Sequence, residues 1–434
     1  MGGLRTRLAA LLAACLLAPA AVPAAELAVR VAPDTEVPVE RHPGRPGDGR
    51  LYLWLPSERG LPDGARAAAA ALARRGPEVW VADLLAARFL PLGSSGLRQV
   101  PAADVKALVE TALARGARHV LLVASGEGAA LALAGARLWQ LAHPGDARLA
   151  GALLLHPNLY VETPEPGAEA RYLPVARATS LGVVVIQPAL SPWWWRLDTL
   201  VGHLEAGGST VWRWALPGLR DRFHFRPDAT ALERRAAALL PAMLDAAGRL
   251  LVATARPRRP PPLAADAAAP APPPSRAGRM LRPYRGDPRP PPLDLPLLGG
   301  GRRSLADVRG RVVLVNFWAS WCPPCVHEMP SMERLYRRLA GRPFEILAVN
   351  MAEDEATVRR FLAEKVRVSF PILLDRDGAA LRRWKVFAFP TSYLLDARGR
   401  IRYAVYGAID WDGPEALRAI GALLDEARGG EARR

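Results

Sequence analysis

Cysteine is scarce in this chain of 434 residues, which contains only Cys15, Cys322 and Cys325. The last two form one Cys-x-x-Cys pair, and the chain has no second pair to complete the roughly four ligands of a structural zinc site. Haem attachment needs a histidine directly after the second cysteine, where this chain has Val326. A purely structural disulfide is the remaining alternative, although so short a loop restrains the unfolded chain only weakly. The pair is therefore predicted to be redox-active, with no metal bound.

Clustered positive charge is also missing, although the chain is basic. Lys+Arg number 58 against 42 Asp+Glu, which gives a formal net charge of +16, and very few of the basic residues are lysine. A nucleic-acid-binding surface would need basic residues gathered with aromatic residues on one face, whereas here the arginines are scattered. The composition therefore predicts no nucleic-acid partner, and weak attraction to an anionic membrane surface stays open.

A hydrophobic run long enough to span a membrane is absent from the N-terminus. The run Leu8–Ala18 is too short for a stable span, but it follows Arg5 and Arg7 and precedes small residues. Residues 1–25 are therefore predicted to be a signal peptide, which places the protein in the periplasm and removes Cys15 on cleavage. The small residues before Cys15 leave a lipoprotein signal, and hence a lipid tether to the membrane, as the alternative.

The surroundings of the Cys-x-x-Cys pair predict a strand followed by a helix. An apolar run at Val312–Phe317 leads into a segment with apolar residues at helical spacing, and the helix starts at Cys322. The free N–H groups and dipole at a helix N-terminus stabilise a thiolate, so the pKa of Cys322 should fall below about 8.5. Cys325 lies one turn further in and suits a resolving thiol. Pro323 and Pro324 occupy the first turn, where a missing N–H costs little.

Residues 293–430 resemble the thioredoxin-like domain of the TlpA/ResA family of membrane-associated or periplasmic thiol–disulfide oxidoreductases. The resemblance covers the segment around the cysteines and two segments downstream. These segments are Asn316-Phe317-Trp318-Ala319-Ser320-Trp321-Cys322-Pro323-Pro324-Cys325, Val349-Asn350 with Glu353, and Phe389-Pro390-Thr391.

The resemblance implies roles for several residues. Cys322 and Cys325 would carry the dithiol, with Trp321 beside them, and Pro390 would be a cis proline facing the cysteines. Thioredoxins often bury an aspartate where this chain has Asn316. Glu353 is therefore the candidate proton acceptor, with a solvated carboxylate at a helix N-terminus as the alternative.

The resemblance also implies partners and direction. Proteins of this family are generally kept reduced by a membrane electron donor of the DsbD type, and they reduce protein disulfides. Apocytochrome c, in cytochrome c maturation, is one candidate substrate. The expected function is thus a periplasmic disulfide reductase without a cofactor, which contributes to cell redox homeostasis.

Residues 26–250 alternate apolar β-rich runs with Ala/Leu-rich helical stretches, which predicts an α/β fold with a mostly parallel sheet. The order and size resemble an α/β-hydrolase-like domain. The predicted helices are Asp63–Arg75, Ala103–Arg115, Glu127–Leu141, Leu197–Ala206 and Asp228–Ala246. The predicted strands are Leu27–Val31, Leu51–Leu55, Val79–Ala82, His119–Ala124, Gly151–His156, Val183–Gln187 and Thr210–Trp214.

The hydrolase resemblance breaks at the catalytic positions. Where hydrolases carry Gly-x-Ser-x-Gly, Gly126 takes the nucleophile position and Ser125 comes one residue early. No carboxylate follows the strand Val183–Gln187, while His224 lies where a catalytic histidine is expected. The domain is therefore predicted to be non-catalytic. The alternative is a carboxylesterase-like hydrolase that uses Ser125 and His224 and carries an accessory redox domain.

Two further segments are conspicuous. The tryptophans at Trp193–Trp195, with Trp212 and Trp214, could form a recognition surface or pack as lid and core, and the sequence leaves both open. Residues 251–292 are rich in proline and are predicted to be a semi-stiff linker between the two domains.

Overall fold

A computed structural model describes residues 24–263 and 280–431 of the chain. Most of the predicted signal peptide, Cys15 and the middle of the predicted linker lie outside the described residues. We refer to residues 24–263 as the N-terminal module and to residues 280–431 as the C-terminal module, because each builds its own central sheet.

The N-terminal module is built on an eight-stranded sheet in the order β1-β2-β4-β3-β5-β6-β7-β8. The strands β3 to β8 are parallel to one another, while β2 pairs antiparallel with both β1 and β4. The strands are β1 (Ala25–Ala32), β2 (Thr35–His42), β3 (Arg50–Trp54), β4 (Glu78–Ala82), β5 (His119–Ser125), β6 (Leu149–Leu155), β7 (Gly182–Leu190) and β8 (Thr210–Arg220).

Helices cover both faces of this sheet, which explains why its central strands are apolar throughout. One core contains residues of α3, α4 and α5, and the other contains residues of α1 and α6. The helices are α1 (Asp63–Ala73), α2 (Ser94–Leu97), α3 (Ala102–Ala114), α4 (Gly128–Ala142), α5 (Leu197–Ala206) and α6 (Ala231–Ala253).

Helix α6 is long and apolar enough to cross a membrane by length and composition alone. Its apolar face nevertheless packs on the sheet, where Leu240, Leu244 and Leu251 are fully buried. Asp245 in the same helix forms ion pairs with Arg50 and Arg75. These contacts are typical of a core helix in a globular module.

The C-terminal module has a six-stranded sheet in the order β14-β13-β12-β15-β16-β9. Strands β12, β13 and β14 are parallel, whereas β15, β16 and β9 are added antiparallel. A separate hairpin is formed by β10 (Asp294–Pro296) and β11 (Arg302–Ser304). The sheet strands are β9 (Arg282–Pro283), β12 (Val312–Trp318), β13 (Phe344–Met351), β14 (Ile372–Asp375), β15 (Thr391–Leu395) and β16 (Ile401–Tyr406).

The central strand β12 is buried along its whole length, because cores lie on both faces of the sheet. One core contains Met329, Met332 and Leu335 on the apolar face of the helix that follows β12. The helices of this module are α7 (Pro323–Arg338), α8 (Glu355–Glu364), α9 (Ala379–Arg383) and α10 (Pro414–Glu431). The strand β12 and helix α7 together deliver the two cysteines to one end of the sheet.

The observed elements of the N-terminal module agree with most of the sequence expectations, although the short helix α2 was not predicted. Each predicted strand overlaps an observed strand, but β2 was not predicted. Of the predicted linker 251–292, residues up to Ala253 belong to α6 and Arg282–Pro283 form an edge strand of the C-terminal sheet, and the linker itself stays a prediction. Proline without an N–H donor is tolerated there because an edge strand need not pair on both sides.

Candidate active site

Cys322 and Cys325 form a disulfide at the start of α7, with their Cα atoms 5.3 Å apart. Cys322 is the N-cap residue, and its sulfur accepts a hydrogen bond from the Cys325 N–H at 3.3 Å. Pro323 and Pro324 fill the first helical positions, as predicted. Cys322 is 5% exposed and Cys325 is fully buried, so Cys322 is the sulfur that is better placed to meet a substrate.

The Phe389–Pro390 peptide bond is cis. Strand β15 begins directly afterwards, and its first residue Thr391 pairs with Phe317 near the end of β12. The ring of Phe389 packs edge-on against the indole of Trp321, with centroids 5.8 Å apart. The loop before β15 therefore lies against the segment that carries Cys322.

Glu353 lies in the loop after β13 and is 7% exposed. Its carboxylate accepts hydrogen bonds from the Ser320 N–H and from the Asn350 side chain, both at 2.7 Å, and from the Ser320 hydroxyl. These contacts place the carboxylate next to the turn that leads into Cys322 and fix the course of that turn. A role of Glu353 as proton acceptor stays a prediction.

A second buried carboxylate, Glu328, was missed by the sequence analysis. It lies three residues after Cys325 in α7, a spacing that puts two side chains on the same helix face. Its carboxylate accepts a hydrogen bond from the Asn316 side chain at 2.7 Å, and weaker ones from the Trp411 indole and the Ile409 N–H. Thioredoxins often bury an aspartate at the position of Asn316. In this chain the buried carboxylate is that of Glu328 in α7, and Asn316 donates a hydrogen bond to it.

Burial raises the pKa of Glu328 to about 8, although its three hydrogen-bond donors act in the opposite direction. Because this folded-state pKa lies above the ordinary value of 4.5, ionisation of Glu328 opposes folding. The stabilising effect of the neutral form is complete below about pH 4.5 and is lost as the pH rises through about 8.

The oxidised protein should therefore become less stable between pH 5 and pH 9, by an amount that Glu328→Gln removes. We expect this part of the free energy of unfolding to be on the order of a few kcal/mol. Urea unfolding of both proteins at the two pH values measures it, with the exposed Glu364→Gln as matched control. Parallel pH profiles for wild type and Glu328→Gln would show that the carboxylate does not titrate as described.

In the N-terminal module, the turn after β5 has the geometry of an elbow without a nucleophile. Gly126 has a φ of +54°, in the left-handed region that favours glycine. A Cβ atom added at Gly126 would lie 2.5 Å from Oε2 of Glu58. The same oxygen accepts a hydrogen bond from the Glu127 N–H at 3.1 Å. The Glu58 carboxylate, from the loop after β3, thus fills the space beside the elbow.

His224 is buried after β8, and neither of its ring nitrogens has a hydrogen-bond partner among the described residues. Burial lowers its pKa to about 3, so the ring is neutral. Its nearest aromatic neighbours include His156, at 6.1 Å between ring centroids, which also lacks partners for both nitrogens. No hydrogen bond joins His224 to Ser125, so the structure does not assemble a proton relay from them.

A carboxylate does lie near the end of β7, but it comes from a position that the sequence analysis did not consider. Asp221 follows β8 and contacts the side chain of Gln187 at 3.5 Å. Burial raises the pKa of Asp221 to about 7, against the effect of a hydrogen bond from Ser191. Because His224 has no partner, Asp221 does not orient it.

The central sheet and the dithiol at a helix N-terminus beside a cis proline define the C-terminal module as a thioredoxin-fold domain of the oxidoreductase type. Residues 288–404 match the model of the AhpC/TSA family, and this part of the chain carries a domain of that family. The hydrolase-like assignment of the N-terminal module is not part of this match. In the described residues, no group of three or more His, Cys, Asp or Glu is placed to hold a metal ion.

Two relatives illustrate the similarity of the chain to known proteins. The thiol-disulfide oxidoreductase ResA of Geobacillus kaustophilus is 39% identical over 112 residues, 26% of this chain and 64% of the relative. The thioredoxin-like protein YneN of Bacillus subtilis is 40% identical over 114 residues, 26% of this chain and 66% of the relative. The chain thus spans less than two thirds of the length of either relative.

Among solved structures, a thioredoxin-family thiol:disulfide interchange protein from Chlorobium tepidum is similar to this chain. It shares 23% identity, and the match covers 32% of this chain and 99% of the other, with a TM-score of 0.29.

Proposed function

We propose that this chain is a periplasmic thiol–disulfide oxidoreductase that reduces protein disulfides through Cys322 and Cys325. The observation that carries the proposal is the Cys322–Cys325 pair at the N-terminus of α7, with Cys325 fully buried and Cys322 slightly exposed. The similarity of 112 residues of the chain to a thiol-disulfide oxidoreductase supports the same reaction type.

The exchange proceeds in two steps. The Cys322 thiolate attacks one sulfur of the substrate disulfide, forms a mixed disulfide and releases the other substrate sulfur as a thiolate. The Cys325 thiolate then attacks Cys322, closes the Cys322–Cys325 disulfide and releases the second substrate thiolate. Two electrons pass from the dithiol to the substrate, and the substrate thiolates take up the protons.

The second step needs a proton acceptor for Cys325, which is fully buried. Glu328 lies on the same face of α7 and is the proposed acceptor in its ionised form, which is the minor form at neutral pH because burial raises the pKa of Glu328 to about 8. Glu353 stays a second candidate acceptor, on the Ser320 side of the dithiol.

The direction and the partners follow from the TlpA/ResA resemblance. Reduction requires that the Cys322–Cys325 disulfide be returned to the dithiol, and a membrane electron donor of the DsbD type is the proposed source of electrons. Protein disulfides, with apocytochrome c as one candidate, are the proposed substrates. A periplasmic location agrees with the predicted signal peptide at the N-terminus. The alternative within that location is a protein anchored to the membrane by a lipid on Cys15.

For the N-terminal module we propose a hydrolase-like fold without hydrolase activity. The parallel strands β3 to β8 and the elbow at Gly126 support the fold. In hydrolases the N–H after the nucleophile and an N–H of the loop after β3 bind the oxyanion. Here the Glu127 N–H is bound to Glu58 from that loop, so a negative charge already occupies the position where an oxyanion would form. This arrangement opposes the esterase alternative.

Reduction of insulin by the full-length protein tests the proposed activity. With dithiothreitol as electron source, the wild-type chain should accelerate insulin reduction catalytically, and a variant with both cysteines replaced by serine serves as control. If wild type and control give the same rate as dithiothreitol alone, the proposed function is wrong.

A further inference from the structure

The N-terminal module contacts the C-terminal module at the end of the sheet that carries the dithiol. The contact is made by Trp195, in the short helix Pro192–Arg196. Its indole N–H points to the sulfur of Met351 at 3.0 Å, and its ring packs against a core of the C-terminal module. Met351 is the last residue of β13, the direct neighbour of β12, whose end leads to Cys322.

The fit around Trp195 is close. A Cβ atom added at Gly378 would lie 2.6 Å from the indole ring. The guanidinium of Arg382 lies over the Trp195 indole, 5.4 Å from the ring centroid. Gly378 has a φ of +64° and is the N-cap residue of α9. The half-buried indole thus packs against the C-terminal module, although it belongs to the N-terminal one.

A second contact between the modules is made at Phe387 of the C-terminal module, three residues before Pro390. The guanidinium of Arg196 lies 4.5 Å from the Phe387 ring centroid, and the Tyr160 ring packs edge-on against it at 5.8 Å. Arg196 also donates a hydrogen bond to the carbonyl of Arg382 at 3.2 Å. Phe387 is only 6% exposed, and Arg196 and Tyr160 of the N-terminal module contribute to its burial.

Both contacts lead to the cysteines within a few residues. From Phe387 the chain continues through Phe389, whose ring packs on Trp321 next to Cys322. From Met351 it continues to Glu353, which binds the Ser320 N–H in the turn before Cys322. The N-terminal module therefore touches the two loops that border the dithiol.

We propose that the N-terminal module is a positioning element of the redox site, with Trp195 and Arg196 holding the loop Phe387–Pro390 in the geometry that receives a polypeptide substrate. The proposal rests on the redox function proposed above. Within the described residues, strand pairing of β15 begins only at Thr391, so the backbone of Phe389 is left for an extended substrate chain. Added strands of this kind bind through main-chain hydrogen bonds and need a fixed partner strand.

A small disulfide needs no such pairing, because it only has to reach the Cys322 sulfur. Loss of the interdomain contacts should therefore slow reaction with protein disulfides and leave reaction with small ones nearly unchanged. This difference separates positioning from general damage to the site, which would slow both reactions.

The test compares single-turnover oxidation of the pre-reduced, full-length protein by insulin and by hydroxyethyl disulfide, followed by acid quench and alkylation. Trp195→Ala and Arg196→Ala should each lower the insulin rate about tenfold, since small misplacements of a binding element have effects of this size. The rate with hydroxyethyl disulfide should stay within roughly twofold. Trp214→Ala is the matched control, because Trp214 packs on a core of the N-terminal module itself.

Three outcomes would separate the hypotheses. If wild type oxidises with neither disulfide, the proposed redox function fails. If wild type reacts with both but Trp195→Ala and Arg196→Ala match Trp214→Ala, or lose both rates equally, the positioning role is wrong. Using two independent interface variants keeps the test decisive should one of them fold poorly.

Discussion

Replacing Cys322 with serine should abolish insulin reduction, whereas replacing Cys325 should stop the reaction after its first step. A serine hydroxyl is not ionised near neutral pH and cannot attack a disulfide, so the Cys322→Ser rate should fall by on the order of 10³-fold or more. In Cys325→Ser the attacking thiolate is intact, but no inner thiol resolves the mixed disulfide. That variant should accumulate a covalent complex with the substrate.

The asymmetry between the two variants follows from burial. Cys325 is fully enclosed by the protein, and the Cys322 sulfur is the one that accepts a hydrogen bond at the helix N-terminus. Equal residual activity of the two variants would contradict the roles assigned to the cysteines. A complex that accumulates only in Cys322→Ser would exchange those roles.

The N-terminal module should show no ester hydrolysis above background, and Gly126→Ser should not create it. Removal of a serine nucleophile costs a hydrolase on the order of 10⁶ in turnover. Restoring a hydroxyl at Gly126 would bring its Cβ to 2.5 Å from the Glu58 carboxylate. The new side chain would therefore be forced against a negative charge, and His224 has no partner to orient it as a base.

Hydrolysis of nitrophenyl esters and labelling by a serine-directed fluorophosphonate measure this prediction, with a known active esterase as positive control. The double variant Gly126→Ser with Glu58→Gln should remain inactive as well, because relief of the charge does not supply an acid for His224. Stoichiometric labelling of the wild-type chain at Ser125 would contradict the account and favour the esterase alternative.

The sequence predicted much of the fold because its signals are local. The apolar strand Val312–Phe317 and the helix starting at the cysteines both appear in the structure as β12 and α7. Strand β2 was missed because Pro38 lies in its middle, and proline is unusual inside a sheet. In the structure Val37 and Val39 point into the core and are buried.

Glu328 and Glu58, the carboxylates beside the dithiol and beside Gly126, differ in how far the sequence could predict their positions. Glu328 follows Cys325 at a helical spacing, so its place on the dithiol face could have been predicted, but its burial depends on Asn316 and Trp411 from other elements. Glu58 reaches Gly126 only because β3 and β5 are neighbours in the sheet. No local pattern links these two residues.

The contacts of Trp193–Trp195 also depend on the tertiary structure and could not be predicted from the sequence. The sequence left open whether Trp193–Trp195 form a binding surface or pack internally. In the structure neighbouring residues do different things: Trp194 packs on the core of its own module, and Trp195 packs on the other module. A turn of helix sends adjacent side chains in different directions, and only the arrangement of the two modules decides what each one meets.

The most direct test of the central claim is peptide mapping of the complex formed by Cys325→Ser with insulin. The account predicts one mixed disulfide, between an insulin cysteine and Cys322, that is released by dithiothreitol and absent from Cys322→Ser. A variant that forms no covalent complex, while the wild-type chain still reduces insulin, would contradict the claim that Cys322 attacks and Cys325 resolves.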